Sequence, residues 1–305
     1  MGWRNENELP MVAILYAVIT VLAWGTWLAP SQEVRFASQE IKTFYVAFAN
    51  LALALVVTFS MGLVRASLMV FWFPFLGGLV WAVSSLCAFT ATRHIGIAKA
   101  FGIWAPLNIV VSLLWGALLL SEFPDAGLKY RILLIVSVLI LLAGVLLILL
   151  SKGEREIATN GKSFLVGVAG AAGAGVLWGS YFIPLKYASV SMWVGALPLA
   201  IGIFTGSSVL ALLSRKTFRL EKRMDFYRAG LTGVLWGIGN YGMLLLVEQL
   251  GAGRGFTIAQ LSVVVNALVG IYWLREPEPK TRAAGLTLVG CLLATLGGVL
   301  LGSLE

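Results

Sequence analysis

Histidine occurs once and cysteine twice in these 305 residues, and charged side chains make up only 12% of them. A lone His94 with Cys87 and Cys291 can compose neither a metal-ligand cluster nor a disulfide framework. Both cysteines sit in apolar runs and read as small buried side chains. The apolar segments hold no His/carboxylate pair, nucleophile elbow or metal cluster, so neither an enzyme nor a bound cofactor is expected. Charge is scarce against the roughly 25% of a soluble domain, which excludes one of any size. No stretch alternates polar and apolar residues as a barrel strand does. Met1 to Leu9 carries one Arg and two Glu, and no small-residue cleavage site follows the first apolar run, so no cleaved signal peptide is expected.

What is abundant is apolar surface. The chain is 59% hydrophobic with a mean hydropathy of +0.92. Its 34 glycines exceed the usual share of about 7%, as expected where helices must approach closely in lipid. Apolar runs of about 20 residues cross a bilayer as helices. Ten are predicted, at about 10–30, 42–63, 70–92, 98–120, 130–150, 164–185, 191–213, 226–248, 255–274 and 282–302. The fold class is an all-α integral membrane protein, multi-pass in the plasma (inner) membrane, with the lipid bilayer as its solvent. The fifth run is almost purely aliphatic and is expected to face lipid, and Gly298 and Gly302 mark a close-packing face on the tenth. Gly167, Gly170, Gly173 and Gly175 predict close packing or bending of the sixth.

The second half repeats the first. Trp24-Gly-Thr-Trp-Leu-Ala-Pro30 and Trp178-Gly-Ser-Tyr-Phe-Ile-Pro184 both read Trp-Gly-hydroxyl-aromatic-x-x-Pro, 154 positions apart. Trp81 aligns with Trp236 and Ser85 with Asn240 at an offset of 155, and Glu122 aligns with Glu276 at 154. The repeat gives a first five-helix unit over 1–152, a linker over 153–163 and a second unit over 164–305. Five helices is an odd number, so the two units cross the membrane in opposite senses. Such inverted repeats favour alternating access through a central site. The loops on one side, with both termini, hold six Lys and Arg; the other side holds sixteen, six of them between Arg215 and Arg228. The positive-inside rule then places both termini on the non-cytoplasmic side. The net charge of +8 thus reads as an orientation signal, and no nucleic-acid partner is expected.

Polar and aromatic residues recur in matching spans. Trp104, Asn108, Ser112 and Trp115 share one helical face, and Ser262 and Asn266 repeat part of it 154 positions on. Trp81 with Ser85 and Trp236 with Asn240 are i,i+4 pairs; Trp24 with Trp27 and Trp178 with Tyr181 are i,i+3 pairs. Asn50 and Gln260 add amides. An amide left unpaired in hydrocarbon costs several kcal/mol, so these groups must meet one another, water or a ligand. Interhelical hydrogen bonding accounts for any one of them. As a set, Trp24, Trp27, Asn50, Trp81, Ser85, Trp104, Asn108, Trp178, Tyr181, Trp236, Asn240, Gln260 and Asn266 are the predicted solute-binding residues. Indole faces stack on sugar rings and amides pair with hydroxyls. No carboxylate lies at mid-span to balance a cation, so a neutral polyol fits better than a cationic one. Trp72 and Trp273, near span ends, read as interfacial anchors.

Ionisable residues near span ends are Arg93, Lys99, Glu122, Lys186, Glu248, Arg254 and Glu276. Snorkelling to the headgroups explains each one singly. As functional candidates, Glu248 is the predicted proton-sensitive group, Lys186 and Arg93 join it as coupling or gating residues, and Pro30 and Pro184 flank the predicted hinges.

Ten helices in two inverted halves resemble the drug/metabolite transporter superfamily. The opening motif, Leu235-Trp236-Gly237 with Gly239-Asn240, and Gly255-Phe-Thr-Ile-Ala-Gln260 resemble its glucose/ribose porter branch. The resemblance implies uptake of a monosaccharide with a coupling cation, H+ or Na+, by a monomer or homodimer. The lysine two places after the motif proline is kept at Lys186 and replaced at Gln32. An exporter of amino acids or other small metabolites is the alternative within transport, and a passive channel or facilitator the alternative outside it.

Overall fold

The structure, a computed structural model, describes residues 8–63, 67–119, 127–151, 161–181, 183–250 and 258–302. These residues are helical, with no strand among them. The first half holds α1 (Glu8–Thr26), the short α2 (Ala29–Gln32), α3 (Gln39–Ser60), α4 (Leu68–Ile95), α5 (Ile97–Leu119) and α6 (Leu128–Leu150). The second holds α7 (Gly161–Trp178), the short α8 (Ile183–Tyr187), α9 (Met192–Leu213), α10 (Arg223–Leu250), α11 (Ser262–Leu268) and α12 (Arg282–Gly302). A π-helical turn, Val269–Trp273, continues α11.

Both repeated motifs break their helices. α1 stops at Thr26 and the chain resumes as α2; α7 stops at Trp178 and resumes as α8. Pro30 lies in the first turn of α2 and Pro184 is the second residue of α8. Proline lacks an N–H, so it suits a helix start and cannot continue a preceding helix. Eight helical segments among the described residues are long and apolar enough to cross a membrane. The fourth expected span is the 23-residue α5, which packs inside the bundle: Ile97 through Pro106 are all buried. Of the ninth, the described residues begin at 258 and hold α11 and its π-helical turn.

Among the described residues, the most extensive helix pairings join one half to the other. α6 packs on α12, α4 on α9 and α7, α1 on α10 and α11, α3 on α9 and α10, and α5 on α7 and α11. These pairings come in matched sets: α4 with α9 answers α10 with α3, α4 with α7 answers α10 with α1, and α5 with α7 answers α11 with α1. Small residues permit the approach. A side chain at Gly78 would strike the backbone of Leu199 and Ile203 on α9, and one at Gly202 would strike Phe75 on α4. Gly170 and Gly175 seat α7 against Cys87 on α4 and Trp104 and Leu107 on α5, as their spacing suggests.

Two expectations change in detail. α6 exposes Ile135, Leu139, Leu142 and Leu146, yet it buries Ser137, Leu141, Gly144, Val145 and Ile148 against α12. Its apolar surface therefore serves protein as well as lipid. The glycines that bring α12 closest to α6 are Gly290 and Gly297, which face Gly144 and Leu141; Gly298 instead abuts Ile109 on α5.

Gly78→Val should overpack the α4–α9 contact and destabilise the protein by about 1–3 kcal/mol. Thermal unfolding in detergent should show a clear loss for this variant. Gly285→Ala, where an added methyl meets open space, should unfold with the wild type.

Candidate functional site

The broken helices and the polar stripes meet. Gly25 packs on Val265 and the Ser262 carbonyl of α11, so closely that a side chain there would overlap Val265. Gly179 packs on Val111 and the Asn108 carbonyl of α5, where an added Cβ would lie 2.6 Å from Val111 Cβ. The Asn266 amide donates to the Gly25 carbonyl at 3.2 Å, and the Ser112 hydroxyl donates to the Gly179 carbonyl at 3.4 Å. Each motif is thus held by the fourth-position helix of the other half. Where a helix breaks in a membrane, its freed carbonyls need such partners. The Trp115 indole extends the grip, donating to the Ser180 hydroxyl at 2.8 Å.

The tryptophans converge at the same level. Trp178 lies 5.3 Å from Trp104, 6.0 Å from Trp81 and 6.3 Å from Trp27, centroid to centroid. Trp81 meets Trp236 edge to face at 4.4 Å. The Trp24 indole donates to the Trp236 carbonyl at 3.2 Å, and its ring lies over Gly239, where any side chain would collide. These aromatics from both halves form one cluster, and in this state their rings are in direct contact. Edge-to-face packing of this kind is favourable by about 0.5–1.5 kcal/mol per pair beyond area burial.

Of the other predicted residues, Asn50 is buried with its side-chain oxygen beside Gly237, and Ser85, Asn240 and Gln260 are buried. Asn108 accepts from Ser112 at 3.2 Å, and Tyr181 packs against the aromatic core. Among the described residues, the Ser85 hydroxyl, the Trp178 indole N–H and the Asn266 amide oxygen are buried without a hydrogen-bond partner. Orphaned hydroxyls occur elsewhere, at Thr58, Ser207 and Thr295, but the amide oxygen and the indole N–H belong to this cluster. A buried polar group without a partner calls for a specific explanation.

Only part of the predicted coupling set falls on described side chains. Arg93 is exposed at the end of α4. Glu122, Arg254 and most of the 153–163 linker lie outside the described residues, as do the side chains of Lys186 and Glu248. Lys42, on the first turn of α3, is 3% exposed. It falls at the start of an apolar run and so passes for a boundary residue, although any ionisable group inside a span is a signal. Phe89 fills the gap between Lys42 and Trp27; nothing distinguishes it in the sequence from other apolar residues.

These features define a multi-pass helical membrane protein with an aromatic cluster shared between its halves. The chain belongs to the sugar transport protein family, whose model matches residues 15–304. Its members are transporters and not enzymes. A "Putative sugar uptake protein" of Enterococcus faecalis is 26% identical over 298 residues, covering 96% of this chain and 100% of that protein. A "Probable glucose uptake protein GlcU" of Priestia megaterium is 27% identical over 227 residues, 74% of this chain and 76% of its own length. A solved crystal structure superimposes with a TM-score of 0.62 at 20% identity, covering 95% of this chain and 96% of the other, which supports the fold.

Asn266→Ala should lower stability by about 0.6 kcal/mol, up to ~1.7, because it frees the Gly25 carbonyl. Ser112→Ala, whose bond is longer, should lower it less. Thermal unfolding of the two variants side by side ranks them.

Proposed function

We propose that this protein takes up a monosaccharide across the bacterial plasma membrane by alternating access. The observation that carries the reading is the convergence of tryptophans and orphaned polar groups from both halves on one cluster, in a chain of the sugar transport family. The names of the Enterococcus and Priestia relatives point the same way. A sugar ring would part the indoles, stack on their faces and satisfy Ser85, Trp178 and Asn266, with Asn50, Asn108, Asn240 and Gln260 reading its hydroxyls.

The two halves act as an inverted repeat. Sequence offsets of 154–155 and the matched helix pairings between halves support this. Ten crossings follow, with both termini outside and the basic 214–225 loop inside. Rocking of one half on the other would turn about Gly25 and Gly179, with Pro30 and Pro184 flanking each hinge. Both halves of one chain contribute to the cluster, so one chain can serve as the transport unit, as a monomer or within a homodimer. A coupling cation, H+ or Na+, belongs to this reading, and dissipating each gradient in turn during uptake identifies which one.

Ligand-induced thermal stabilisation of the purified protein is the first test. A ligand bound only by the folded form raises apparent stability by RT ln(1 + [L]/Kd), about 2.7 kcal/mol at 100 Kd. One or a few monosaccharides should raise the Tm while amino acids and organic cations do not; a shift from an amino acid alone would move the reading to an exporter. Asn240→Ala should abolish saturable uptake while the variant still folds and reaches the membrane. Saturable uptake at the wild-type rate would remove Asn240 from the site.

A further inference from the structure

A second polar cluster lies at the end of the bundle where α2 ends, α3 begins and α4 ends. The Gln32 side-chain amide donates to the Thr92 carbonyl at 2.9 Å and to the Glu276 carboxylate at 3.1 Å. Gln32 and Thr92 come from the first half and Glu276 from the second, so this contact must rearrange if the halves rock. Glu276 is seated on Gly96, which has a φ of 77° and where a Cβ would lie 2.8 Å from Glu276 Cβ. Beside it, the Lys42 ammonium is buried over the Phe89 ring, 4.6 Å from its centroid, with Phe36 at 6.0 Å. Glu276 attracts this ammonium and Arg93 repels it.

Lys42 is therefore placed against several rules. It lies in the first turn of a span, at the positive end of a helix dipole, and is almost wholly buried. A ring face does not replace the hydrogen bonds an ammonium loses on leaving water. Opening this end to water would relieve it. The position is also one-sided: Lys42 and Phe89 correspond at offsets of 154 and 155 to Ala196 and Leu244, both buried and uncharged. Phe89 in turn packs on Trp27 at 5.8 Å, which links the ammonium to the aromatic cluster.

We infer that Lys42 and Glu276 gate this end of the transport route, Lys42 favouring its opening and Glu276 its closure. With this end shut, as here, Glu276 is held by Gln32 and its charge partly offsets that of the buried ammonium. When it opens, water solvates Lys42 and the Gln32–Glu276 bond breaks. The inference rests on the transport reading above, but its test does not need a solute.

Thr92 is 1% exposed in this state, so thiol labelling at that position reports opening. In full-length purified protein carrying Cys87→Ala, Cys291→Ala and Thr92→Cys, the labelling rate is compared across variants. Lys42→Met should slow labelling by about tenfold. Glu276→Gln should speed it several-fold, because it removes the charge that offsets the ammonium. Lys42→Arg should label at the parental rate. General loosening of the bundle would speed both of the first two, so their opposite signs are the signature of a gate. Equal rates in parent and Lys42→Met, or a shift of both variants in one direction, overturns the assignment. If Lys42→Met misfolds, an unchanged rate in Glu276→Gln overturns it instead. Opposite-signed labelling shifts without sugar uptake by the unmodified protein would leave the gate standing and remove the sugar reading.

Discussion

A backbone carbonyl in hydrocarbon has no water to turn to, and the centre of this protein is arranged around that constraint. A continuous helix satisfies it unaided. This chain breaks two helices at mid-bundle, after Thr26 and after Trp178, and must then supply partners from elsewhere. Asn266 and Ser112 provide them, each from the opposite half. Glycine at both breaks lets Val265 and Val111 come close enough for those bonds to form. The tryptophans beside the breaks shield the exchange from lipid. A patched helix break thus gathers polar and small residues of both halves at one place.

Much of this was legible because it is written twice. The spans, the motifs and the stripe on α5 follow from apolar length, helical spacing and the 154-residue offset. The Trp104-Asn108-Ser112-Trp115 face does turn to the second motif, as the spacing implies. What was not legible lacks a counterpart. Lys42 has no partner in the second half and sits where hydropathy changes, so neither periodicity nor repetition marks it. Gln32 reads as the lost member of a lysine pair, and only three-dimensional proximity gives it Thr92 and Glu276 as partners. The π-helical turn after α11 also escapes prediction, because its sequence, Val269–Trp273, would suit an α-helix.

The likeness of the halves and their differences do separate work. Paired features include the Gly25 and Gly179 seats, each packed on a helix of the other half. Unpaired features, Lys42 with its Phe89 ring above all, lie toward one end. A device built only from matched halves would respond identically from both sides of the membrane. Buried charge on one side alone is the simplest way to make two similar ends unequal.

The dominance of contacts between halves has a consequence for how the protein is made. α4 finds its main partners in α7 and α9, and α6 finds its own in α12. As the chain emerges, the first five spans enter the bilayer with their glycine faces and the stripe on α5 still waiting for helices not yet synthesised. Until the second half arrives, the bilayer and the insertion machinery must shelter those faces. Each half leaves its main packing faces to the other, and α12 covers the face of α6.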